Sequence, residues 1–107
     1  MNLNDIAAEV ARLSPGNKIV PFMAIHPQQP GWSEEYDRAV GDLGCKGAKL
    51  AHSGQYLDPE CEEAYSFYAR MEEDGLVLLM HGGTTGAWDA PLMYGHPLVM
   101  DLSLIHI

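Results

Sequence analysis

A parallel α/β sheet is the fold class this sequence predicts, and three observations predict it. Short apolar runs alternate with amphipathic helical periods along most of the chain. The apolar runs are continuous rather than alternating, as expected for strands covered on both faces. Turn residues leave short linkers between them, so successive strands run the same way through right-handed crossovers.

The first element is a helix. Ile6, Val10 and Leu13 recur at i, i+4 and i+7 within Asn4 to Leu13, and Pro15-Gly16 ends the run. Lys18 to Ile25 is short, apolar and rich in branched residues, which predicts a strand buried on both faces. Pro21 has to sit where its nitrogen faces away from a neighbour. The stretch from His26 to Trp32 is loop. Ser33 is expected to cap the next helix, with Glu34 and Glu35 complementing the helix dipole. Tyr36, Ala39, Val40 and Leu43 supply its apolar stripe, and Gly44 ends it.

A second strand is predicted over Lys46 to Ala51, followed by a polar loop from His52 to Leu57. Asp58-Pro59-Glu60 has the form of a helix start: a capping acid, a proline at the first helical position, then another acid. That helix runs through Tyr65, Phe67, Tyr68 and Met71 to Asp74, with Gly75 as its C-cap. Leu76 to Met80 is the clearest strand, and it ends in His81-Gly82-Gly83-Thr84-Thr85. A long loop with Trp88, Pro91, Gly95 and Pro97 follows, and Leu98 to Ile107 takes no assignment.

The order αβαβαβ fits either a doubly wound sheet or part of a (β/α)₈ barrel. A complete barrel needs roughly 200 residues or more, so a chain of 107 residues makes at most one small domain. The hydrophobic content of 47% argues against disorder. A net charge of −9 repels phosphate backbones and anionic membranes, which sets nucleic acid and lipid surfaces aside as partners. Cys45 and Cys61 match no metal spacing and are expected to be reduced thiols of a cytoplasmic protein. The N-terminus has no secretory pattern, and no run approaches the roughly 20 apolar residues of a membrane span.

In both parallel architectures, function gathers at the carboxyl ends of the strands. His26, His52 and His81 each follow a predicted strand. His81 carries the most weight, because it directly ends the driest strand and Gly82-Gly83 allows close approach. A neutral imidazole there suits zinc or a similar metal; hydrogen bonding to a loop carbonyl is the structural alternative. For His52 a solvated loop position outweighs a ligand role, and His26, before Pro27, has the character of a turn residue. Lys49, within the second strand, either snorkels from an edge or points inward, where its charge would hold an anionic substrate. Thr84 and Thr85 are candidates for a substrate carboxylate or an anion-binding nest, and loop stabilisation is the commoner use of such hydroxyls. Trp32 and Trp88 either cover a pocket or pack on the scaffold.

The runs Gly44 to His52, Gln55-Tyr-Leu-Asp-Pro59 and Gly75 to Thr85, in that order and spacing, resemble the amidohydrolase-related family. This is the branch of metal-dependent hydrolases, lactonases and decarboxylases of the aminocarboxymuconate-semialdehyde type. Val20 to Pro27 and Asp89 to Asp101 extend the resemblance over most of residues 5–101. It implies a (β/α)₈ barrel, a divalent metal, commonly zinc, at the carboxyl rim, and a small carboxylate or cyclic substrate. Only His81 maps onto the implied metal ligands; Lys49 and His52 are pocket-lining at most.

The implied assignment is a partial barrel domain over residues 1–101, with His81 on the metal and Lys49, His52, Thr84 and Thr85 toward substrate. The implied HxH strand and late aspartate have no counterpart, so the chain is expected to be an inactive fragment of a hydrolase. A decarboxylase of the same family, or a non-catalytic α/β module holding an anion at GGTT, are the alternatives. Homo-oligomerisation is left open for the full-length parent. Leu102 to Ile107 follows Asp101 with no room for a crossover helix, so that tail and His106 are expected to be foreign.

Overall fold

The structure, a computed structural model, describes residues 2–52 and 54–82. Their order is α1 (Leu3–Leu13), a short 3-10 turn (Pro15–Asn17), β1 (Phe22–Ala24), α2 (Trp32–Gly41), β2 (Gly47–Leu50), α3 (Glu62–Glu73) and β3 (Val77–Met80). The strands form one parallel sheet in the order β1-β2-β3. Met23 lies opposite Ala48, and Ala48 opposite Leu78. The expected small α/β unit with parallel strands is present. The expectations for Thr84, Thr85, Trp88, Asp101 and the tail 102–107 fall outside the described residues.

The helices form where the apolar period predicts, but two begin differently. Gly31, at φ 82°, holds the N-cap position of α2. Ser33 sits in the first turn, where its hydroxyl accepts a hydrogen bond from Arg70 at 3.0 Å. At α3 the Asp58 carboxylate accepts from the Glu60 N–H at 2.9 Å, making a local turn instead of a cap. The helix starts one turn later, with Cys61 in the N-cap position. At its other end Asp74 holds the C-cap position expected of Gly75, and Gly75 follows it at φ 65°, where it lets the Leu76 N–H reach the Met71 carbonyl at 2.9 Å.

Helices α2 and α3 cover the same face of the sheet, as two right-handed crossovers in one direction require. Met23, Ala48 and Leu50 are fully buried on that face, in one cluster with Tyr36, Ala39, Phe67, Tyr68 and Met71. Trp32, Tyr36 and Phe67 meet edge to face with centroids 6.0–6.4 Å apart. The Tyr36 hydroxyl donates to Asp74 at 2.6 Å, and Arg70 stacks 4.3 Å above its ring while pairing with Asp37. Burial first, and then the Asp74 carboxylate, push the Tyr36 hydroxyl above the ordinary tyrosine range.

The other face carries Phe22, Ala24, Lys49, Val77 and Leu79, because side chains alternate along a strand. Val77 is 59% exposed and Leu79 54%. Burial on both faces, expected for the first and third strands, is therefore corrected: the covering layer exists on one side only among the described residues. β1 is also shorter than expected. Ile19 and Val20 lie outside it and are exposed, because pairing with β2 begins only at Phe22 and Gly47.

Candidate functional site

The candidate site lies at the carboxyl end of the sheet. The His81 N–H donates to the Leu50 carbonyl at 2.8 Å, so the ladder continues one residue past β3. Alternation then places His81 on the face of Val77 and Leu79. Lys49 pairs with Leu79 and lies on that same face. A rise of ~3.3 Å per residue and a strand spacing of ~4.8 Å put the Lys49 and His81 Cα atoms about 8 Å apart. Both residues are partly buried. The fold thus brings two of the expected site residues onto one apolar face, next to the strand ends.

The other two strand-end histidines have different surroundings. His52 is fully buried, which corrects the expectation of a solvated loop position. The loop folds back on itself: the Leu57 N–H donates to the His52 carbonyl at 2.9 Å and the Gln55 N–H to the Ala51 carbonyl at 2.8 Å. His26 holds a turn, as a histidine before proline suggested. Its Nδ1 accepts from the Gln28 N–H at 3.3 Å, and its Nε2 lies 2.8 Å from the Gln55 carbonyl. The second contact requires a proton on Nε2, so backbone groups hold the ring at both nitrogens.

Gln55 is the residue that sequence reasoning missed. Its Oε1 accepts from the Ala51 N–H and its Nε2 donates to the Ile25 carbonyl, both at 3.0 Å. The amide stands between the ends of β1 and β2, where their own ladder would continue, and holds the ends of these strands together. Its sole sequence signal is a two-sided amide in a loop after a strand. Trp32 packs on the scaffold and also lines a hollow of about 120 Å³ between β1 and α2, with His26, Gln29 and Glu35.

The electrostatics leave the thiols out of the chemistry. Burial raises both Cys45 and Cys61 above the ordinary thiol range, so neither is poised as a thiolate. Among the described residues, no three His, Cys, Asp or Glu side chains gather where one metal ion could touch them all. None of the described helices is long and apolar enough to cross a membrane. The chain matches no protein-family model, no curated protein and no solved structure.

Proposed function

We propose that the chain supplies one arc of the active-site rim of a metal-dependent (β/α)₈ barrel enzyme of the amidohydrolase-related type, a hydrolase for a small carboxylate or cyclic substrate. The observation that carries this reading is the Lys49–His81 pair, at the carboxyl end of parallel strands, on the face left uncovered by the described helices α2 and α3. In a barrel that face turns inward and those ends form the mouth. Phe22, Ala24, Val77 and Leu79 would form an apolar wall below one cation and one imidazole. Such a wall suits a substrate with a hydrophobic body and a carboxylate, and Lys49 is placed to hold the carboxylate.

The described residues do not fit a whole metal centre. A catalytic zinc takes about three protein ligands, and His81 offers one. The 107-residue chain, supplied with zinc, is therefore expected to turn over no small carboxylate or lactone.

The coding sequence on both sides of residues 1–107 tests the reading. An in-frame strand ending in HxH upstream, with a histidine-ended strand and an aspartate downstream, is the expected result. In the enzyme so completed, His81→Ala should lose bound metal by elemental analysis, and Lys49→Ala should raise KM more than it lowers kcat. A completed reading frame without those ligands, or His81→Ala with its full metal content, sinks the proposal.

A further inference from the structure

We draw no further inference here: the strongest candidate, the exposed apolar stripe of Leu3, Ile6, Val10 and Leu13 on α1, carries nothing, because among the described residues nothing shows what covers it.

Discussion

Gly47 marks a very close approach within the sheet. A Cβ there would lie 2.4 Å from the Val77 carbonyl and 2.7 Å from the Phe22 ring. The ring can swing, but the carbonyl belongs to the backbone beside β2 and cannot. Gly47→Ala is expected to destabilise the chain by roughly 2 kcal/mol, as overpacking does, and to lower the urea midpoint with an unchanged slope. Gln55 makes the opposite case, a side chain whose removal leaves vacancies. Gln55→Ala strips a partner from the Ala51 N–H and from the Ile25 carbonyl, for a loss of about 2 kcal/mol in the same measurement. An unmoved midpoint would show that water replaces the amide freely. Neither residue announced its role in the sequence. A glycine at a strand start and a glutamine in a loop are common, and what sets these two apart is the spacing between strands.

At the scale of the element, α1 is docked through carboxylates that low pH can discharge. The Glu35 carboxyl is held down to about 2, against an ordinary 4.5, first by the Arg38 guanidinium and then by the Asn4 and Asn2 amides. Asp5 is lowered by Arg38 in the same sense. A carboxyl whose folded pKa lies below its unfolded one contributes stability above the unfolded value and loses it as pH falls through the folded one. The docking of α1 should therefore be intact above pH 4.5 and weaken from there down to about 2. Far-UV circular dichroism and the exchange of α1 amides would follow it. An α1 equally protected at both ends of that window would mean that Glu35 does not hold the helix. The existence of α1, α2 and α3 was legible because apolar periods and Gly75 speak for themselves. Their starts were less so. The Asp58 side chain spends its hydrogen bond on its own turn, and Gly31 takes the cap position that Ser33 was expected to fill. The exposure of Leu3, Ile6, Val10 and Leu13 was not legible at all, since a period names the apolar side of a helix but not whether anything covers it.

For the molecule as a whole, the described residues cover one face of the sheet and not the other, and this decides how its site is to be understood. His81 and Lys49 were each legible as residues of strands. That they share a face follows from the register of β2 against β3, which no single strand's sequence contains. The asymmetry of the faces gives a direct stability contrast. Leu50 is fully buried under α2 and α3, whereas Leu79, one residue off in register on the neighbouring strand, is 54% exposed. Leu50→Ala removes a core side chain and should cost about 2–5 kcal/mol. Leu79→Ala forfeits only partial burial and leaves no enclosed cavity, so it should cost less than about 1 kcal/mol. Urea denaturation of both variants beside the parent chain reads the difference. In a polypeptide that completes the proposed barrel, Leu79 would face the interior, and its truncation would approach the cost of Leu50→Ala. If the two already cost the same in the 107-residue chain, the face that carries Lys49 and His81 is closed, and a substrate would have to be sought elsewhere.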